Sequence, residues 1–194
     1  MLHFRRIMMM SKGLPNGYTP LEYLQTNGSQ YLDTGIKPNI NTRVVMDAEL
    51  TDKPPLINAT LFGVVPNTLA TKSFAFYYAP IPGLFTAEIF SSNINQQRFS
   101  LDAYTRLKID FNKEYVEVNG DKRTIIQDSL DSGQPLTLFC LNSQIGTKLY
   151  YATCKFYECK IFDNGALVRD YIPAKSPSGT SGIYDKVNNT FKTL

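Results

Sequence analysis

Apolar and polar residues alternate with a period of two in several stretches of this chain. From Thr42 to Leu50, Val44, Met46, Ala48 and Leu50 fall on one face, with Arg43, Val45, Asp47 and Glu49 on the other. That spacing predicts a strand with one face buried. Arg106 to Phe111 repeats the pattern, with Leu107, Ile109 and Phe111 inward. Ser73 to Tyr78 puts Phe74 and Phe76 on one face, and Leu61 to Val65 and Phe85 to Phe90 read as short buried strands. Leu136 to Leu141 is apolar throughout and predicts a central strand. No usable window shows helical periodicity.

The chain is organised around a hairpin. Tyr151 to Phe162 and Leu167 to Ile172 are joined by Asp163-Asn164-Gly165, and Asn-Gly is the strongest short-range hairpin signal. In regular alternation Cys154 and Phe156 share one face, and Tyr157, Cys159 and Ile161 take the opposite one. Pro173 is expected to end the second arm, because proline cannot donate to a ladder. Tyr115 to Val118 and Lys122 to Ile126, around Asn119-Gly120, form a second hairpin, and Ile183 to Phe191 a last small one. Leu21–Gln25 and Gln30–Asp33 are shorter strands around Asn27-Gly28. About a dozen short strands with frequent turns predict an all-β fold, a jelly roll of two packed antiparallel sheets. Pro15-Asn16-Gly17 separates residues 1–17, an N-terminal extended arm, from a domain over 18–194.

Charge sharpens the division. The net charge is +3, and residues 1–13 hold Arg5, Arg6 and Lys12 and no acid, leaving 17 basic and 17 acidic side chains in the rest. A formally neutral domain argues against nucleic-acid binding, which needs clustered Lys and Arg. The apolar run after Arg6 is too short for a signal peptide, and no run is long enough to span a membrane. Phe4, Arg5, Arg6, Ile7, Met8, Met9 and Met10 instead suit an arm that docks on a protein partner, since methionines make adaptable apolar contacts. The three cysteines, Cys140, Cys154 and Cys159, lie in apolar runs and read as buried free thiols of a chain made in a reducing compartment. Cys154 and Cys159, expected on opposite faces, cannot pair. With His3 the only histidine and no Cys-x-x-Cys, no metal site or cofactor is expected.

The segment Glu22-Tyr-Leu-Gln-Thr-Asn-Gly-Ser-Gln-Tyr-Leu-Asp-Thr-Gly35 resembles the opening of laminin-G-like, concanavalin A-like domains of gut bacteria and their phages. The ending is similar to theirs as well: Lys160-Ile-Phe-Asp-Asn-Gly-Ala-Leu-Val-Arg-Asp-Tyr-Ile-Pro-Ala174, then Gly182-Ile-Tyr-Asp185. The resemblance covers nearly everything after residue 18. It implies a concanavalin A-like jelly roll, a fold that hosts lectins, glycosidases and structural modules. It also extends to domains of tailed-phage virion proteins, including fibres and capsid-bound accessory proteins.

Glycosidases of this fold need opposed carboxylates. Asp47 and Glu49 are two apart, but they sit on a polar outer face, and Lys53 and Pro54 follow where the glucanase motif would continue. Without a histidine outside the arm no nucleophile system can be assembled, so catalytic residues are expected to be none. Sugar binding would draw on Tyr77, Tyr78, Asn93, Asn95 and Arg98, with Gln96 and Gln97 nearby. The absence of Trp weakens that case. Asp121, Asp128 and Asp131 match no calcium loop. Arg169 is expected to pair with Asp185 and lock the closing hairpin. The expected function is a non-enzymatic virion protein, on capsid or tail, made in the bacterial cytoplasm and anchored to another virion protein through its arm. The alternative is a carbohydrate-binding adhesion or receptor-binding module at a cell surface or fibre tip, with surface glycans as partner. Self-association into a homo-oligomer is compatible with either, although no heptad or repeat specifies it.

Overall fold

Where alternation meets a sheet interior, each strand turns its apolar set to one side and the sheets close over it. The structure is a computed structural model and describes residues 13–53, 57–66, 73–80, 83–91, 96–125 and 132–194. The arm residues Phe4, Arg5, Arg6, Ile7, Met8, Met9 and Met10, and the loop residues Asn93 and Asn95, lie outside the described residues. In chain order the strands are β1 (Thr19–Pro20), β2 (Leu24–Gln25), β3 (Leu32–Asp33), β4 (Arg43–Leu50), β5 (Ala59–Val64) and β6 (Ser73–Ala79). Next come β7 (Leu84–Ser91), β8 (Gln97–Phe99), β9 (Arg106–Phe111), β10 (Tyr115–Val118), β11 (Asp121–Thr124) and β12 (Thr137–Leu138). The last are β13 (Leu141–Asn142), β14 (Lys148–Leu149), β15 (Cys154–Asp163), β16 (Ala166–Lys175), β17 (Ser181–Asp185) and β18 (Thr190–Lys192).

Two sheets pack face to face as an antiparallel jelly-roll type sandwich, with no helix among the described residues. The first sheet runs β11-β10-β9-β4-β15-β16-β17-β18, with β1 beside β16 and β2 beside β15. The second runs β14-β13-β5-β6-β7-β8, with β12 between β5 and β3. Among the strands of the described residues β13 pairs with β5 in parallel, and a lone bridge between Thr60 and Tyr151 is parallel as well. Aromatic side chains interlock between the layers. Phe111 of β9 lies 5.5 Å from Phe62 and 4.9 Å from Phe74, and Phe139 meets Phe156 edge-on at 5.4 Å. Val44, Met46, Ala48, Leu50, Leu107, Ile109 and Phe111 are all buried, as the alternation predicts. The two Asn-Gly hairpin turns put two consecutive residues at positive φ, 52° and 88° at Asn119-Gly120 and 48° and 82° at Asn164-Gly165. Only a glycine takes the second position without strain, which is why this dipeptide closes tight hairpins.

Three expectations are corrected. In β15, Phe156 pairs with Ala48 and Glu158 with the next residue, Asp47. Tyr157 is therefore an extra residue, a β-bulge that shifts the phase by one. Cys154, Phe156, Cys159 and Ile161 consequently all face the core, each 0% exposed, rather than dividing between two faces. Second, β16 does not stop at Pro173 but runs to Lys175. The Pro173 carbonyl accepts the Leu21 N–H at 3.1 Å. In an extended strand a residue's N and O point the same way, so the missing N–H falls beyond the end of β1, where no ladder bond is lost. Third, Leu136–Leu141 is not one strand. Phe139 has φ 68° and the chain reverses there, so that Thr137 pairs antiparallel and Leu141 parallel with the same Gly63. A side chain at Gly63 would meet Leu141 Cδ1 at 2.7 Å, and its absence makes room for the second pass.

Candidate functional site

Three polar constellations stand out on this frame. The first is on the outer side of the β6–β7–β8 sheet. Inward positions of β6 are taken by Phe74, Phe76 and Tyr78, so Ser73, Ala75 and Tyr77 point outward. Opposite them β7 offers Glu88, which pairs in register with Ala75. Glu88 is only 9% exposed. Its Oε1 accepts the Tyr77 hydroxyl at 2.8 Å and the Gln96 amide, and its Oε2 accepts the Ser73 hydroxyl. Arg98 on β8 donates to Gln96 Oε1 at 3.0 Å. Burial pushes the Glu88 carboxyl above the usual carboxylate range, against the donors Tyr77 and Gln96 and the charge of Arg98. Burial also pushes the Tyr77 phenol upward, and the negative Glu88 adds to it.

Of the residues expected to bind sugar, Tyr77 and Arg98 thus gather here around a carboxylate that sequence reasoning passed over. Tyr78 does not join them. It is fully buried with its ring 5.3 Å from Phe85, because alternation after Phe74 and Phe76 turns it into the core. Gln97 turns away, its Nε2 donating to the Thr124 carbonyl at 2.9 Å.

The second constellation lies at the tip of the β15–β16 hairpin. There the start of β4 and the β9–β10 turn meet Asn164-Gly165 in an open groove of about 600 Å³. Arg43 donates two bonds to Asp110, at 2.7 and 2.6 Å, while its guanidinium lies 5.3 Å from the Phe162 ring. Tyr115 donates to the same carboxylate at 3.0 Å. The guanidinium of Arg43 is held above its ordinary pKa, first by the hydrogen bond to Asp110. Asn41 bridges the walls: its Nδ2 donates to Asn164 Oδ1 at 2.9 Å, and its Oδ1 accepts Lys113 Nζ at 3.2 Å.

The third is the closing clasp. Asp185, 3% exposed, accepts the N–H groups of Asp170 at 3.2 Å and Val187 at 3.0 Å, and the Asn188 amide at 2.6 Å. Arg169 Nε lies 3.6 Å from Asp185 Oδ2 and donates to the Thr34 carbonyl at 2.9 Å. Lys186 Nζ lies 2.7 Å from Asp170. Beside the clasp, the root of the N-terminal segment is tied down. Tyr18 packs on Tyr184 at 5.0 Å and Phe191 at 5.5 Å, and Thr19 and Pro20 pair with Lys175 and Ala174.

The carboxylates weighed for glycoside hydrolysis are engaged with cations. Asp47, far from being merely solvated, is 8% exposed and takes two bonds from Arg106, at 2.7 and 2.9 Å. Glu49 accepts Lys155 at 3.0 Å and Tyr157 at 3.2 Å. Among the described residues no group of three or more His, Cys, Asp or Glu is arranged to hold a metal ion. Burial raises Cys140 to about 11 and Cys154 to about 12, so both remain thiols at neutral pH.

No family model matches this chain, and no curated protein matches it in sequence. Two solved structures of the NanB sialidase from Streptococcus pneumoniae are similar, one a complex with a chlorobenzyl ammonioethanesulfonate and the other a point mutant. Each aligns with a TM-score of 0.47 and 16% identity over 78% of this chain and 26% of the sialidase. This chain therefore spans about a quarter of that protein's length, and neither activity nor ligand is carried over from it.

Proposed function

We propose that this chain is a laminin-G-like, concanavalin A-like module acting as a non-enzymatic accessory protein of a tailed-phage virion. Residues 1–17 attach it to a capsid or tail protein, and the sandwich is displayed outward. The observation that carries this reading is the fastening of the segment's root. Residues 17–20 are joined to the body by a ladder with β16 and by Tyr18 between Tyr184 and Phe191, while a side chain at Gly17 would touch Pro177. A tether meant only to be loose has no use for such an anchorage, whereas one that bears an attachment transmits its pull straight into β16 and β17. The engagement of Asp47 and Glu49 by Arg106 and Lys155 supports a non-catalytic role. The test is sedimentation with particles of the encoding phage. The full chain is expected to co-sediment, and a chain lacking residues 1–12 to stay in the supernatant. Equal retention of both would overturn the attachment.

A second reading, carbohydrate binding on a fibre tip or cell surface, is favoured by the groove beside Asn164. That groove lies at the opposite end of β16 from the β1 pairing, roughly 25–30 Å away at about 3.3 Å per residue. The module then has its root fastened at one end and a polar cleft at the other.

A further inference from the structure

We infer that the groove between the β15–β16 tip, the β9–β10 turn and the start of β4 is a binding site for an uncharged, hydroxyl-rich ligand, a short neutral oligosaccharide. The inference rests on the second reading above and assigns it a site other than the Tyr77–Arg98 cluster. Its size, about 600 Å³, falls within the roughly 300–1,000 Å³ of small-molecule sites.

The lining decides the chemistry. Its ions cancel: Arg43 is spent on Asp110 in a two-pronged bond, and Lys113 is followed directly by Glu114. An anionic ligand would gain the Arg43 guanidinium only by breaking its pair with Asp110, a costly charged hydrogen bond to give up, and at Lys113, whose Nζ donates to Asn41 at 3.2 Å, it would meet the Glu114 carboxylate of the same lining. What remains are the amides of Asn41, Asn112 and Asn164. Each amide carries both donors and an acceptor, and so matches a hydroxyl, which also does both. Phe162 and Tyr115 add aromatic surface against which the C–H face of a sugar ring can lie.

The walls are also set in advance. Asn164 is pinned by its turn and by Asn41 at 2.9 Å. Asn112 is held by the N–H groups of Glu114 and Tyr115, at 2.9 and 3.2 Å on its Oδ1, so its NH₂ remains to donate. The Arg43 plate is fixed between Asp110 and Phe162. Side chains ordered before binding lose little entropy on binding. The Glu88 cluster is the weaker alternative, since that carboxylate is buried and already accepts bonds from Ser73, Tyr77 and Gln96.

The full chain should be screened on an array of neutral, sialylated and sulfated glycans, and hits measured by titration calorimetry at low and high salt. Neutral glycans are expected to bind, with affinity changed less than about twofold by salt because no net charge is matched. Asn41→Ala and Asn164→Gly should each weaken binding at least tenfold; glycine tolerates the positive φ at residue 164, so that variant keeps its turn. Tyr77→Phe and Arg98→Ala should bind as the parent does. Loss of binding in the latter pair alone would overturn this site and leave the carbohydrate reading standing. Binding only of anionic glycans, falling with salt, would overturn the ligand class. No glycan bound at all would overturn both the site and the second reading.

Discussion

Deleting Tyr157 should leave the fold in place, although it removes a residue from the middle of a ten-residue central strand. Phe156 and Glu158 pair with Ala48 and Asp47, which are adjacent, so β4 has no partner position for Tyr157. Without it, Cys154, Phe156, Cys159 and Ile161 alternate regularly and still face the core. What is lost is the side chain: Arg106 stacked 3.5 Å from its ring, a 3.2 Å hydrogen bond to Glu49, and the edge of Tyr23 at 6.0 Å. For a half-buried ring these sum to about 2 kcal/mol. Tyr157→Ala keeps the bulge and loses the same contacts, so the two variants should agree within about 1 kcal/mol. Deleting Lys160 is the contrast. No spare residue follows it, so either Glu158 turns into the core or Ile161 leaves it, and both cost at least about 3 kcal/mol. Urea unfolding followed by tyrosine fluorescence measures all three. A Tyr157 deletion that fails to fold, or falls far below Tyr157→Ala, would refute the bulge.

Asp185→Ala strips an acceptor from two backbone N–H groups and a counter-charge from Arg169; a loss of about 3 kcal/mol is expected in the same assay. Arg169→Ala should cost less, about 1–2 kcal/mol, because its side chain is 21% exposed; unchanged stability in both variants would contradict the clasp. Glu88 has a folded-state pKa raised by burial, so the native chain holds a proton that the unfolded chain has released, and stability falls as pH rises from the ordinary glutamate value through the raised one. Thermal melts across the acid range should show the parent losing ground to Glu88→Gln with rising pH; gaining ground would reverse the sign and the cause. Cys140, Cys154 and Cys159 are all 0% exposed with raised pKa values, so a thiol reagent should label none quickly in the native protein and three after denaturation.

Parts of the fold were legible because one local rule governed them. In β4 and β9 the core face follows from alternation alone, and two Asn-Gly turns mark their hairpins. The bulge was not legible. Tyr157 and Glu158 are both tolerable on an outer face, so nothing local says that one of them is unpaired; the unbroken run of β4 across the sheet decides it. Leu136–Leu141 misled for a related reason, since an apolar run reads as a strand whether or not it turns back at Phe139. Tyr78 was within reach: the parity that buries Phe74 and Phe76 buries it too. Glu88 was not, because one acid in an alternating strand is ordinary, and its burial is made by Ser73, Tyr77 and Gln96 on neighbouring segments. The groove depends on three turns far apart in the chain, brought together only by the order of β9, β4, β15 and β16.

The proposed attachment is decided by what residues 1–17 touch in an assembled particle. Electron cryomicroscopy of the virion at side-chain resolution reads this directly. Density for Arg5, Arg6 and Met8 to Met10 seated on another capsid or tail protein, with the sandwich facing outward, is the predicted result. A sandwich held by its own faces with that segment free, or particles lacking the chain, would contradict it.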